Sequence, residues 1–129
     1  MERSKRNCGR ISVFKGHKAR LNKAIFHILA LKGPLTIYDM HKEVKAQKGL
    51  RETRYASINK RIRSLEELTF IDKVGIKKTK AGFRAYIYEL TARAYLAILL
   101  DSINMEELIM GMDEATASAV LGDILRALT

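Results

Sequence analysis

Asn59, Lys60 and Arg63 lie within five residues of one another in a stretch, Thr53 to Leu68, where the apolar residues Tyr55, Ile58, Ile62 and Leu65 recur at spacings of three and four. That spacing predicts a helix with one apolar side. It places Ala56, Asn59, Lys60 and Arg63 on the other side, with Thr53, Ser57 and Ser64 at the margins. An amide and a guanidinium each present two hydrogen-bonding groups in one plane, which matches the edges of adenine and guanine, whereas the Lys60 ammonium suits a phosphate. A basic strand-turn-strand follows at once, with Lys73, Lys77, Lys78, Lys80 and Arg84 around the turn residues Ala81 and Gly82. Lys77, Lys78, Lys80 and Arg84 would lie against phosphates or enter a minor groove beside the helix. Each feature also has a plainer source: a polar helix face is what solvation alone produces, and lysines on a hairpin keep sheet edges from aggregating. Tyr55, Tyr86 and Tyr88 have the ring chemistry for base stacking, but their periodic placement reads as packing.

Residues that could break bonds are not arranged to do so. His17, His27 and His41 are widely spaced, with no acidic or cysteine partner in a metal-ligand pattern, and Cys8 is the only cysteine. Intramolecular disulfides and cysteine-based zinc sites are thereby excluded. Glu66-Glu67 and Glu106-Glu107 are adjacent on helices, so their carboxylates diverge. Gly75 and Gly82 flank a hairpin and do not open a helix, so they form no phosphate-cradling loop. The expectation is a protein that is not an enzyme, with no metal and no cofactor.

The charge is segregated. Of the 129 residues, 1 to 90 hold 22 Lys+Arg against 8 Asp+Glu, and 91 to 129 hold 2 against 6, so the halves carry +14 and −4 of the net +10. Clustered cations gain most by releasing the counterions of a phosphate backbone, so the first part is expected to meet nucleic acid and the second to do something else. The longest apolar stretch, Ala94 to Leu100, falls well short of the roughly 20 residues of a membrane span. No signal-peptide core follows Arg3, Lys5, Arg6, Arg10 and Lys15. A cytoplasmic location and no membrane partner are expected.

The elements that must hold these residues follow from period and punctuation. Residues 1–16 read as a basic N-terminal arm or ordered stub with a short apolar group at Ile11, Val13 and Phe14. From Lys18 to Lys32 the residues Leu21, Ala24, Ile25, Ile28, Leu29 and Leu31 predict a helix that Gly33 and Pro34 end. Thr36 is expected to cap a second helix to about Gln47, with Ile37, Met40 and Val44 inward. Thr53 is expected to cap the third, whose inward stripe runs on through Leu68. Val74 and Ile76 alternate with Lys73, Gly75 and Lys77, and Arg84, Tyr86, Tyr88 and Leu90 alternate with Ala85, Ile87 and Glu89, which predicts a hairpin. Thr91 caps a further helix, and two more are expected at about Met105 to Met112 and Thr116 to Leu128. Val120, Leu121, Ile124, Leu125 and Leu128 form an apolar stripe on the last, with Leu108, Ile109 and Met112 just before it, to be covered by the core or by a second subunit.

The order helix, helix, helix, hairpin is similar to the winged helix-turn-helix fold. Ile28-Leu29-Ala30-Leu31-Lys32-Gly33-Pro34-Leu35-Thr36-Ile37-Tyr38-Asp39-Met40 resembles the start of prokaryotic regulators of the PadR, MarR and ArsR kind. Ser64-Leu65-Glu66-Glu67-Leu68-Thr69-Phe70-Ile71 resembles the end of their recognition helix, and Tyr88-Glu89-Leu90-Thr91 the junction after their wing. The chain departs from PadR-like sequences at Ile37, Thr69 and Ala94, where those often have glycine; a positive φ at Thr69 would strain a β-branched residue. The resemblance implies a mostly helical chain with a small β-hairpin: a winged domain over 17–91 and a helical dimerisation or interaction segment over 92–129. It implies a transcriptional regulator that binds double-stranded DNA sequence-specifically as a homodimer. Its contacts would come from Thr53, Ala56, Ser57, Asn59, Lys60, Arg63, Lys77, Lys78, Lys80 and Arg84. A protein-interaction or complex-assembly module, or an RNA or single-strand binder, is the alternative.

Overall fold

A turn of 3₁₀ helix at Ser12–Phe14 leads into α1 (Ala19–Lys32), α2 (Ile37–Lys45) and α3 (Tyr55–Glu67). The hairpin strands β1 (Ile71–Lys78) and β2 (Arg84–Leu90) come next, then α4 (Ala92–Ser102), α5 (Met105–Met110) and α6 (Glu114–Leu128). The structure, a computed structural model, describes residues 11–129. Cys8 and the arm cations Arg3, Lys5, Arg6 and Arg10 lie outside the described residues.

The expected element order is present, and the core forms where the helical stripes converge. Ile25, Ile28 and Leu29 of α1, Met40 and Val44 of α2, and Ile58, Ile62 and Leu65 of α3 are all buried. Ile71, Tyr88 and Leu90 close the core from the hairpin and Ala94 and Ala97 from α4. Phe26 is its centre: its ring lies 5.3 Å from that of Phe14 and 5.7 Å from that of Phe70. Val13 and Phe14 are buried, so the stretch read as an arm feeds the core. Asn22 is buried beside them and donates from Nδ2 to the Val13 carbonyl at 2.8 Å, fixing the turn to α1.

Local chemistry sets the joints. Gly33 ends α1 with φ +79°, donating its N–H to the Leu29 carbonyl. Leu35 then exchanges both backbone hydrogen bonds with Tyr88, so the chain adds one bridge to the outer side of β2 before Thr36 caps α2 through the Asp39 amide. At the end of α3 the Thr69 amide bonds to the Glu66 carbonyl and the Phe70 amide to that of Leu65. This is the closing motif in which the residue after the cap turns left-handed. Thr69 has φ +66°, the only described non-glycine residue with positive φ, so the strain foreseen there is present. The conformation is held from α4: the Thr91 hydroxyl donates to the Thr69 carbonyl and Arg93 Nη1 to Thr69 Oγ1, each at 2.7 Å.

Four expectations need correction. Leu31, at 83% exposure, faces solvent although it lies two turns beyond the buried Ala24, because nothing packs over that side of the last turn of α1. Leu68 also faces solvent, since the left-handed turn after it redirects the chain. Thr53 does not cap α3: Arg54 is the N-cap residue and no side chain caps that end. Val74 and Ile76 are exposed and do not form one inward row. The register slips between Lys73 and Gly75, so Val74 is an extra residue in β1. A single inserted residue exchanges the two faces of everything beyond it.

The C-terminal helices have a different character. Thr91, Asn104 and Asp113 cap α4, α5 and α6 through the amides of Ala94, Glu107 and Thr116. The Thr116 hydroxyl and amide hold the Asp113 carboxyl below the usual carboxylate range. No residue of α5 or α6 is buried. No helix among the described residues is long and apolar enough to cross a membrane.

Candidate nucleic-acid interface

The start of α3 is positioned by α2. His41 Nε2 lies 2.8 Å from the Thr53 carbonyl, and its ring meets Tyr55 edge-on at 5.7 Å. With no side-chain cap, the first amides of α3 are open to an anion at the positive end of the helix dipole. The cationic residues Arg51 and Arg54 stand exposed at that end, and the sequence patterns did not single them out. Further along α3, Ala56, Ser57, Lys60 and Arg63 are exposed, while Thr53 and Asn59 are half-buried. Ser64 is engaged by Arg61 Nη2 at 3.0 Å.

The bulge decides what the wing offers. Ahead of it Lys73 stands opposite Tyr88; beyond it Ile76 stands opposite Tyr86 and Lys78 opposite Arg84. Directly opposed residues project from the same face, so Lys73, Ile76 and Lys78 of β1 share a face with Arg84, Tyr86 and Tyr88 of β2. That face borders α3, because Lys73 Nζ reaches Glu66 at 3.8 Å while lying 4.4 Å over the Tyr86 ring. Burial raises the pKa of the Tyr88 hydroxyl, the nearby Glu66 carboxylate adds to the rise, and Arg63 opposes it. Arg63 is thus within electrostatic reach of the wing.

The ten residues expected at the interface therefore divide. Lys60 and Arg63 on α3, and Lys78, Lys80 and Arg84 on the wing, make no ion pair among the described residues. Lys78 and Arg84 lie on the α3 side of the wing. Lys77, opposite Ala85 on the other face, pairs with Asp39 of α2 at 3.6 Å. An exposed pair of this kind contributes about 0–1 kcal/mol. Lys73, counted at first only as part of the basic hairpin, is the tie between wing and helix. Nothing in residue type marks Lys77 from Lys78; only the pleat beyond the bulge does.

Among the described residues no three His, Cys, Asp or Glu side chains are grouped so as to hold a metal ion. An open depression of about 530 Å³ lies between the α1 residue Leu21 and the loop before α3, lined also by Leu50, Glu52 and Arg54.

No protein-family model matches the chain, and no curated protein sequence does. Among solved structures it is similar to diamide-treated YodB from B. subtilis, with 15% identity over 79% of this chain and 88% of that one and a TM-score of 0.55. It is similar too to a PadR-like transcriptional regulator from Bacillus cereus, with 14% identity over 89% of this chain and 97% of that one and a TM-score of 0.53. With the three helices, the hairpin and the Leu35 bridge, these likenesses establish the fold as a winged helix-turn-helix followed by C-terminal helices.

Proposed function

We propose that the chain binds duplex DNA, with α3 in the major groove and the wing against the adjoining backbone, and that it regulates transcription. One observation carries this reading: the wing face that bears Lys78 and Arg84, which make no ion pair among the described residues, borders α3 through Lys73 and Glu66, and the exposed Arg63 of α3 lies within electrostatic reach of Tyr88 on that face. Asn59 and Arg63 read base edges, Ala56 makes apolar contact with a base, and Thr53, Ser57, Lys60, Lys77, Lys78, Lys80 and Arg84 hold phosphates. Lys77 does so on leaving Asp39. The likeness in fold to a PadR-like transcriptional regulator supports the same reading.

The working unit in this reading is a cytoplasmic homodimer joined through residues 92–129, with 17–91 as the DNA-binding domain, the core-packed Val13 and Phe14 as part of that domain, and the cations of 1–16 adding to its charge. Support comes from the apolar residues that α5 and α6 leave uncovered, among them Ile109, Leu121, Ile124 and Leu125. A two-fold dimer meets inverted half-sites about one helical turn, roughly 34 Å, apart. Bound there, it acts sterically, blocking or recruiting the transcription machinery, with no catalytic step and no cofactor.

Duplexes recovered by the purified chain from a random pool, then titrated in gel shifts across a salt series, test the reading. A preferred subset should emerge, and log K should fall with log salt by about 0.9 per phosphate contacted. Equal affinity for all duplexes with no salt dependence, as an assembly scaffold would give, overturns it.

A further inference from the structure

The tip of the wing carries a ring that nothing in the fold covers. Phe83 is 73% exposed, although it precedes β2 by a single residue. Its backbone is fixed: its N–H donates to Thr79 Oγ1 at 3.1 Å and its carbonyl accepts from the Thr79 N–H at 2.7 Å. The loop Lys80-Ala81-Gly82 closes above this pair, with Gly82 at φ +88° and its N–H on the Thr79 carbonyl. A three-residue loop ending in a left-handed glycine is a tight hairpin connection. Phe83 is thus a two-torsion aromatic on an anchored backbone, held out at the far end of a projecting ribbon.

Its surroundings indicate what it meets. From Lys73 to Tyr88 the hairpin contains five Lys and Arg residues and no Asp or Glu. Lys80 is in the loop itself, and Lys78 and Arg84 form the next cross-strand pair. This end of the molecule is drawn to a polyanion, and on duplex DNA the large apolar surfaces are the faces of the bases. Two strands about 4.8 Å apart, with their side chains, are broad against an undeformed minor groove of about 6 Å, so the tip of the ribbon is the part that reaches deepest. Phe83 is the largest apolar side chain there.

Resting on the DNA-binding reading above, we propose that Phe83 is a minor-groove wedge: Lys78, Lys80 and Arg84 hold the flanking phosphates while its ring enters a base step, partly unstacks it and bends the duplex. Apolar wedges of this type kink DNA by about 20–90° toward the major groove. The wing would then select flexible pyrimidine–purine steps at a position no hydrogen bond reads.

The full chain and its F83A, F83L and K78A variants are compared on duplexes that the wild type recovers from a random pool. Bending is read from circularly permuted fragments, and unstacking from 2-aminopurine placed in turn along the bound site. Phe83 lies outside the core, so unchanged circular dichroism is expected for F83A. Wild type should bend the fragment and brighten 2-aminopurine at one step. F83A should lose both and bind about 10-fold more weakly, while F83L keeps most of the bend. K78A should weaken binding but leave the bend. If F83A bends and unstacks the duplex as wild type does, or loses affinity with no change in either signal, the wedge is wrong while DNA binding stands. If wild type forms no complex with any duplex at low salt, the DNA-binding reading falls and the wedge with it.

Discussion

Arg63 and Lys78 have similar charge and exposure but different tasks in the proposed complex, and substitution should separate them. The Arg63 guanidinium is a two-point reader, so R63A should relax the sequence preference and cost roughly 1–3 kcal/mol on preferred duplexes. Lys78 meets phosphate, so K78A should weaken all duplexes alike and lower the salt slope by about 1. Competition binding against selected and scrambled duplexes distinguishes the two; an R63A protein with unchanged affinity and preference would remove the assigned role of α3. Thr69 makes a different prediction at the same scale. Its φ of +66° costs a β-branched residue, while its hydroxyl accepts from Arg93. Asparagine tolerates that conformation and keeps an acceptor, so T69N should gain about 1 kcal/mol and raise Tm by about 4 °C in thermal unfolding. T69G should come out near neutral, since a similar relief is offset by about 0.4–1 kcal/mol of added freedom in the unfolded chain and by the lost acceptor.

Elements here are defined as much by their ends as by their faces. α6 contributes nothing to the core, so its start depends on the Asp113 cap, whose carboxyl bonds to the Thr116 amide at 2.7 Å. The folded-state pKa of Asp113 is depressed, so the cap's contribution is present above the unfolded value and is lost as pH falls through the folded one. Helical signal from the last fifteen residues should therefore drop below about pH 4, the ordinary aspartate range, before the core responds. D113N should blunt that early transition; amide shifts of Thr116 followed by NMR across the titration would show whether it does. The hairpin teaches the complementary lesson. Alternation in its sequence was legible, but the extra residue at Val74 exchanges faces midway, sending Lys78 toward α3 and Lys77 toward Asp39. The one local sign is Gly75, an isolated glycine inside a strand pattern at the register shift, but residue type alone does not say which neighbour is the extra one.

For the whole molecule, the uncovered apolar helices and the segregated charge are two parts of one design in the proposed dimer. Leu121 and Ile124 are more than half exposed, so aspartate at both leaves the core contacts of the chain untouched. The L121D/I124D chain should give an unchanged circular dichroism spectrum, run as a monomer in light scattering, and lose roughly 10²- to 10⁴-fold in affinity for a duplex with two half-sites. Its affinity for a single half-site should persist. A wild-type chain that is monomeric at micromolar concentration and binds both duplexes equally would exclude the dimer.

Periodicity and punctuation alone determined the order of helices and hairpin, the caps at Thr36 and Thr91 and most of the buried stripes, while the strain at Thr69 was flagged only by the family resemblance. These depend on residues a few positions apart, where backbone geometry is nearly the same in every protein. Only the tertiary structure decided that Leu31 and Leu68 face water, that Phe26 is the core's centre, that Lys77 and Lys78 part company, and that Phe83 stands alone at the wing tip. Each of those follows from which elements press against one another, and a face is apolar in sequence whether or not the fold supplies something to cover it.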